Sequence, residues 1–282
     1  MHNVNLATYI RGDIMWSVQP KLFGWFHILS MVLGIAFGYA GVVLGRKFKA
    51  KDGDGKKAKL VLWIIEVTFI VLEAAKEIFY AIENGGYRWD LFPMQICSII
   101  FIVLPIALIC KDGLIKDSVL GFIGFCSLAG ASFYLCNPTA AFGAEYILLS
   151  LHSVFWHLLM ILTGTFIIVG YELLSKNTIK ILLGSFAVWF AFAIIAAVIN
   201  NIAYVTVPEL NIDYYHIGYV KVIYPVLNLI FKYPEPYIPF FLCFVVYFAL
   251  GTIGVYYAGK GICKLNHKIF KKDQSEAADE TR

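Results

Sequence analysis

Seven long apolar runs constrain this chain more than any other feature of its sequence. A helix that crosses the hydrocarbon core of a bilayer needs about 20 mostly apolar residues, and its backbone polar groups must hydrogen-bond within the segment. The runs meet this requirement, so we predict an all-α, polytopic membrane helical bundle of about seven transmembrane helices. The predicted spans are residues 22–45, 59–82, 91–110, 117–135, 146–173, 178–200 and 237–259.

The composition excludes an ordinary soluble fold. Hydrophobic residues make up 60% of the 282 residues and charged residues only 15%, whereas soluble domains carry about 25% charged residues. We therefore predict a single seven-helix transmembrane domain, 22–259, between an N-terminal extracytoplasmic segment, 1–21, and a basic then acidic cytoplasmic tail, 260–282. Residues 1–21 lack the basic start, apolar core and small-residue cleavage site of a removable signal peptide.

Two basic clusters, Arg46–Lys59 and Lys260–Lys272, predict the topology. Short loops rich in Lys and Arg stay in the cytoplasm, and seven spans place both clusters on that side. The N-terminus is then outside and the C-terminus cytoplasmic. We interpret the clusters as topology signals rather than a nucleic-acid footprint, and we expect membrane lipids as partners.

The six cysteines lie mostly within apolar segments and form no CxxC pair. This spacing predicts neither a disulfide framework nor a zinc site, and we expect no metal and no cofactor. The connection 201–236 is long and rich in tyrosine. It is predicted to form a short interfacial or re-entrant segment that covers the outer side of the bundle.

Ionisable residues inside spanning helices mark candidate sites, because they are costly in lipid and normally face the bundle interior. Glu66, Glu73 and Glu77 lie at i, i+7 and i+11 of the second predicted helix, on one face, with Lys76 beside them. Two interpretations stay open. The group is either a structural ion pair or the wall of a polar cavity.

Histidines occur in two predicted helices. His27 lies near the outer end of the first, and His152 and His157 lie in the fifth. Five residues on a helix turn through about 500°, so His152 and His157 point roughly 140° apart and make a poor bidentate metal site. A buried histidine is more often a packing residue than a catalyst.

Cys97 follows Pro93 at the outer end of the third predicted helix. A thiol beside a base is a nucleophile for acyl transfer, although most buried cysteines are inert. Asn200 and Asn201 close the sixth predicted helix on the same side. They either orient a base, bind a polar headgroup or cap the helix end.

The order of several segments resembles that of a known group of membrane proteins. The segments are FGWFHILSMVLG, WDLFPMQICSIIFIVLP, GASFYLCNPTAAFG and LHSVFWHLLMILTG, followed by the Asn pair and the long loop. The chain resembles, from about Phe23 to Tyr257, the YwaF-type bacterial integral membrane proteins. These are similar to eukaryotic transmembrane acyltransferases of ether lysophospholipids, which resemble the androgen-induced-gene membrane hydrolases. The resemblance implies a multi-pass protein of the bacterial cytoplasmic membrane.

The resemblance also implies a site. Cys97 and His157 match the proposed catalytic pair of the acyltransferases, with Cys97 as nucleophile and His157 as base. Glu73 or Asn200 would orient the imidazole, and backbone amides or Ser98 would stabilise the oxyanion. Many relatives carry a histidine where this chain has Gln95. The resulting set of catalytic and supporting residues is Cys97, His157, His27, Glu73, Glu77, Gln95, Ser98, His152, Asn200 and Asn201.

Three functions are compatible with these observations. The first is a lipid acyltransferase or lipid hydrolase that uses Cys97 and His157. The second is a transporter or flippase whose polar path is lined by Glu66, Glu73 and Glu77. The third is a non-catalytic membrane protein that binds a lipid or a partner. A retinal photoreceptor is disfavoured, because the seventh predicted helix has no mid-membrane lysine for a Schiff base.

Overall fold

Seven long or apolar helices form a bundle in the part of the chain that the structure describes. A computed structural model describes residues 20–50, 55–84, 86–87, 89, 92–137, 147–175, 178–219, 221–222, 224 and 226–279. The predicted N-terminal segment therefore lies almost wholly outside the described residues. The helices are α1 (Trp25–Lys47), α2 (Lys56–Asn84), α3 (Ile100–Ile109), α4 (Leu114–Cys136), α5 (Ile147–Gly170), α6 (Thr178–Thr206) and α7 (Tyr237–Asp279).

The predicted all-α membrane fold is confirmed. A helix occupies each of the seven predicted runs, and no strand occurs in the part of the chain that the structure describes. Five helices, α1, α4, α5, α6 and the Tyr237–Gly261 part of α7, are long and apolar enough to cross a membrane. The other two helices do not meet this criterion of length and apolar composition: α2 carries charged residues along its length, and α3 has only 10 residues. The orientation of the termini stays a prediction.

The third predicted span begins later than expected. Residues 95–99 form turns, and α3 starts only at Ile100. Pro93 lacks a backbone N–H and disfavours helical geometry in the residue before it. The carbonyl of Met94 accepts a hydrogen bond from the Tyr215 N–H at 3.2 Å, so it is directed away from a helix. Irregular backbone at membrane depth persists where protein or a cavity surrounds it.

The last helix continues further than expected. The apolar span ends near Gly261, yet α7 runs to Asp279 through the Lys-rich and acidic residues of the predicted tail. No proline interrupts residues 260–279, and Lys, Glu and Ala are good helix formers. The tail is therefore helical where it is described.

Helices α1 and α5 pack closely through glycines of α1. A Cβ at Gly41 would lie within 3 Å of both the Thr165 hydroxyl and the Leu162 carbonyl. At Gly38, one turn away, the nearest atom would be a methyl carbon of Ile161 at 3.4 Å. Small residues at such crossings let two backbones approach in lipid, where packing drives helix association.

We expect Gly41→Ala to destabilise the protein by about 1–3 kcal/mol, because the added methyl group forces the two backbones apart. Gly38→Ala is the matched control, since its added methyl group would reach only ordinary contact with Ile161 and alanine favours a helix over glycine by roughly 1 kcal/mol. The measurement is the midpoint of thermal unfolding of both variants in the same detergent. Equal midpoints would contradict the packing described.

Candidate functional site

A cavity of about 330 Å³ lies in the half of the bundle that carries the connection between α6 and α7, residues 207–236, here called the outer loop. Ligand pockets typically measure about 300–1,000 Å³ and combine apolar walls with a few polar groups. Helices α2, α4, α5 and α7, the turn before α3 and the outer loop all contribute to it. Its polar lining consists of Glu73, Lys76, Tyr80, Cys97, Ser98, Tyr134, Asn137, His152, Ser153, His157, His216, Tyr224 and Tyr247.

Cys97 reaches the cavity because of the turn that precedes α3. The carbonyl of Cys97 accepts a hydrogen bond from the Trp156 indole N–H at 3.0 Å, which secures the turn to α5. Trp156 is buried and also packs on Phe69, with ring centroids 4.7 Å apart. The Cys97 thiol is half-buried, lines the cavity beside Ser98, and interacts electrostatically with Lys76 and Glu73.

His157 is held in one tautomer and one orientation. Its Nδ1 lies 2.7 Å from the Ser153 carbonyl oxygen, and a carbonyl can only accept, so Nδ1 carries the proton and Nε2 the lone pair. The imidazole stacks on the Tyr134 ring at a centroid distance of 3.5 Å and an angle of 6°. The Tyr134 hydroxyl in turn shares a 2.6 Å hydrogen bond with the Ser153 hydroxyl. The arrangement leaves the Nε2 lone pair of His157 as the site that could accept a proton, as a general base requires.

Cys97 and His157 are brought to the same cavity by adjacent anchors. Trp156, which binds the carbonyl of Cys97, directly precedes His157 on α5. In the described part of the chain no hydrogen bond joins the Cys97 thiol to the His157 ring. Catalytic hydrogen bonds are often long in unliganded proteins and tighten when substrate binds.

The acidic residues of α2 divide into two groups. Lys76 Nζ lies 2.6 Å from a Glu73 carboxylate oxygen and 3.1 Å from a Glu77 carboxylate oxygen. Glu73 and Lys76 line the cavity, whereas Glu66 and Glu77 do not belong to its lining. Glu66 is fully buried, and neither of its carboxylate oxygens has a hydrogen-bond partner among the described residues. The four residues therefore do not form one continuous wall.

His152 and His27 have different surroundings. His152 lines the cavity, and its Nε2 donates to the Leu72 carbonyl at 3.1 Å. His27 is fully buried outside the cavity lining. Its Nε2 donates to the Leu135 carbonyl at 2.8 Å, and its Nδ1 accepts from the Phe23 N–H at 2.9 Å. Both ring nitrogens are engaged by backbone, so His27 joins α1 to α4 instead of supporting the cavity.

The Asn pair and Gln95, predicted to line or support the cavity, do not belong to its lining and bind the outer loop. The Asn200 amide donates to the Tyr214 carbonyl and accepts from the Tyr214 N–H, both at 2.9 Å. Asn201 accepts from the Tyr219 hydroxyl at 2.6 Å. Gln95 donates to the Asp213 carbonyl at 2.8 Å. These four bonds hold the loop against the ends of α6 and of the turn before α3.

The outer loop contributes two cavity residues that sequence reasoning missed, His216 and Tyr224. Desolvation raises the pKa of Tyr224 well above its usual value, so its hydroxyl stays protonated and donates to the Tyr215 carbonyl at 2.6 Å. His216 Nδ1 lies 3.2 Å from a carboxylate oxygen of Asp213, whose other oxygen accepts the Gly218 N–H at 2.7 Å. The sequence feature that could have drawn attention to this loop is the density of tyrosines in 201–236.

Among the described residues, no group of three or more His, Cys, Asp or Glu side chains is spaced to hold a metal ion. The cavity thus presents a thiol, imidazoles with free lone pairs, and an ion pair in mostly apolar walls. Such a set can perform nucleophilic and general acid–base chemistry on an amphiphilic substrate.

Comparison with known proteins assigns the chain to a family. No curated protein and no solved structure matches the chain at a significant level. A protein-family profile matches residues 22–257, which include every helix that forms the cavity and the whole outer loop. The chain is a multi-pass membrane protein that belongs to the TMEM164 family.

Proposed function

We propose that this protein is a lipid acyltransferase that uses Cys97 as nucleophile and His157 as base. The observation that carries the proposal is that both side chains line one cavity while the Ser153 carbonyl holds His157 with Nε2 as the lone-pair nitrogen. Family membership and the resemblance to acyltransferases of ether lysophospholipids support the same conclusion.

The proposed reaction has two steps, formation of a thioester on Cys97 and transfer of its acyl chain. The Cys97 sulfur attacks the ester carbonyl of a donor phospholipid, and its proton passes to Nε2 of His157. The ester C–O bond breaks, His157 returns the proton to the leaving oxygen, and the acyl chain remains on sulfur as a thioester. A lysophospholipid hydroxyl then attacks the thioester, the C–S bond breaks, and the hydroxyl proton restores the thiol. Water in place of the hydroxyl releases a fatty acid, which makes the same site a hydrolase.

The charged and polar neighbours have supporting roles in this proposal. Lys76, which forms ion pairs with Glu73 and Glu77, lines the same cavity as Cys97. Ser98 lies beside Cys97 in the lining and is positioned to donate to the oxyanion. We place the protein in the bacterial cytoplasmic membrane with its N-terminus outside, so that the cavity opens in the outer half of the bilayer.

Reconstitution tests the function directly. Purified protein is placed in vesicles of a diacyl phospholipid with labelled acyl chains and an ether lysophospholipid with a free hydroxyl. We expect the label to appear in the ether lipid. Label in free fatty acid alone would assign the hydrolase variant of the reaction. Label that stays wholly in the donor would overturn the proposal.

The apolar part of the cavity fits an acyl chain. Small residues of two helices, Ala129 and Gly130 on α4 and Gly251 on α7, line it together with Phe248. An added Cβ at Gly251 would find its nearest neighbour, a ring carbon of Phe133, at 3.7 Å. A Cβ therefore fits at Gly251 at ordinary contact distance, and a longer side chain there would occupy part of the slot between α4 and α7.

We expect Gly251→Leu to shorten this slot and to shift transfer toward shorter acyl chains. Each methylene that no longer fits costs about 1–3 kcal/mol, or roughly 10- to 200-fold in the transfer rate. The measurement is competition between labelled donors of two chain lengths. Gly254→Leu is the matched control, because Gly254 lies on the exposed face of α7 with open space around it. An unchanged chain preference in Gly251→Leu would refute the assignment.

A further inference from the structure

The cavity holds a second imidazole whose setting differs from that of His157. His216 enters from the outer loop, and its Nδ1 donates to the Asp213 carboxylate at 3.2 Å. Its Nε2 is then the lone-pair nitrogen. His216 and His157 are close enough to interact electrostatically. Two imidazoles, each fixed through Nδ1, therefore serve one cavity.

The backbone around His216 is arranged at an energetic cost. Tyr215 and His216 both have positive φ angles, 60° and 53°, a region that non-glycine residues rarely adopt. Several bonds hold the segment there: the Tyr215 N–H donates to the Met94 carbonyl, and Asp213 accepts the Gly218 N–H. Strained backbone of this kind clusters at functional sites.

The partners of the two imidazoles suit them to different proton transfers. The backbone carbonyl that binds His157 carries no charge, whereas Nδ1 of His216 binds the carboxylate of Asp213, as the histidine of a catalytic triad does. The two half-reactions have unequal demands, because a thiol has a pKa of about 8.5 and a hydroxyl is far less acidic, with water at about 15.7. The imidazole of His216, which is bound to a carboxylate, therefore suits the deprotonation of the less acidic group, the hydroxyl.

The position of His216 points to the same step. The outer loop enters the bundle from the end where α6 stops and α7 starts, and it folds back between them: Tyr215 lies 6.4 Å from Trp189 of α6 and Tyr224 lies 5.2 Å from Phe244 of α7, measured between ring centroids. A lysophospholipid whose headgroup stays at that end of the bundle would bring its free hydroxyl into the cavity next to the loop. The apolar slot at Gly130 and Gly251 lies on the helices instead.

We propose that His216 is the catalytic residue for the acceptor, taking the proton of the lysophospholipid hydroxyl, and that Asp213 is its positioning residue. This inference rests on the acyltransferase function proposed above. In the step, the acceptor oxygen forms a bond to the thioester carbonyl carbon, its proton moves to Nε2 of His216, and the C–S bond breaks to give the Cys97 thiolate. The proton then returns from His216 to the thiolate, which restores both groups.

The test measures two steps separately: loading, the transfer of an acyl chain to Cys97, and discharge, the transfer of that chain from Cys97 to the acceptor. A p-nitrophenyl acyl ester loads Cys97 without needing a protonated leaving group, and ether lysophospholipid is then added in a single turnover. We expect the loading rate of His216→Gln to lie within about twofold of that of the unmodified protein. Its rate of discharge to the acceptor should be lower by about 10²-fold or more. Asp213→Asn should act in the same direction. Imidazole added to His216→Ala should restore part of the discharge rate, which a purely structural role would not allow.

The outer loop supplies its own control. Glu209 is exposed in the same loop and does not line the cavity, so Glu209→Gln should match the unmodified protein in both steps. Unchanged discharge in His216→Gln, or equal losses in loading and discharge without rescue by imidazole, would overturn the role of His216. Failure of the unmodified protein to load Cys97 would instead overturn the proposed function, and this inference with it.

Discussion

Cys97→Ala is expected to lower acyl transfer by about 10⁴- to 10⁶-fold, because the substitution removes the atom on which the acyl chain is carried. Cys97→Ser should lose most of the activity as well, since a serine hydroxyl is a much weaker nucleophile than a thiol at neutral pH. The measurement is the initial rate of label transfer in the vesicles described above, normalised to folded protein.

Cys126 provides the matched control for this loss. It is a fully buried cysteine of α4, outside the cavity lining, and its sulfur accepts a weak hydrogen bond from the Thr252 hydroxyl at 3.6 Å. We expect Cys126→Ala to reduce stability slightly and to leave transfer per folded molecule unchanged. Equal activity of Cys97→Ala and Cys126→Ala would contradict the nucleophile assignment.

His157→Ala is expected to lower the rate of acyl-enzyme formation by about 10²- to 10⁴-fold, the usual contribution of a positioned general base. The measurement is the single-turnover rate of Cys97 loading. His157→Gln should be equally slow, because an amide fills the space beside Tyr134 but does not take a proton. This pair of variants separates the loss of a base from the loss of packing.

His27→Gln controls for the removal of a buried histidine. His27 binds the backbone of Phe23 and Leu135 away from the cavity, so its loss should lower the unfolding temperature and spare the loading rate. If His27→Gln and His157→Gln slow loading to the same extent, the effect of His157 is one of stability and the base assignment fails.

The membrane fold was predictable because the physics that sets it is local. Each apolar run must be helical in lipid whatever its neighbours are, so every predicted span contains a helix. The boundaries that depend on distant partners were not predictable. The start of α3 at Ile100 depends on Met94, whose carbonyl binds the outer loop, and no local pattern in 91–110 records that contact.

The candidate site was predictable in part. Helical periodicity predicts one polar face for Glu66, Glu73 and Glu77 of α2, and Glu66 and Glu73 are buried, but periodicity does not say how far a cavity extends along the helix. Seven residues rise by about 10 Å along a helix, and the cavity ends before Glu66. Periodicity also does not reveal that a backbone carbonyl binds His27.

The loop residues were the hardest to predict. His216 reaches the cavity only because Asn200, Gln95 and the paired backbone of Met94 and Tyr215 fold the outer loop back over the bundle. These are long-range contacts between polar groups, and a single sequence contains no periodic signal for them. The tyrosine content of the loop predicted an interfacial or re-entrant segment but not which side chain that segment supplies to the cavity.

The most direct test of the central claim is mass spectrometry of the protein after brief incubation with donor phospholipid and no acceptor. The account predicts an acyl thioester on the peptide that contains Cys97, removed by hydroxylamine and absent from His157→Ala at the same time point. It also predicts no adduct on the other cysteines. Acyl transfer that proceeds at the full rate with Cys97 unmodified, or with the adduct on another residue, would contradict it.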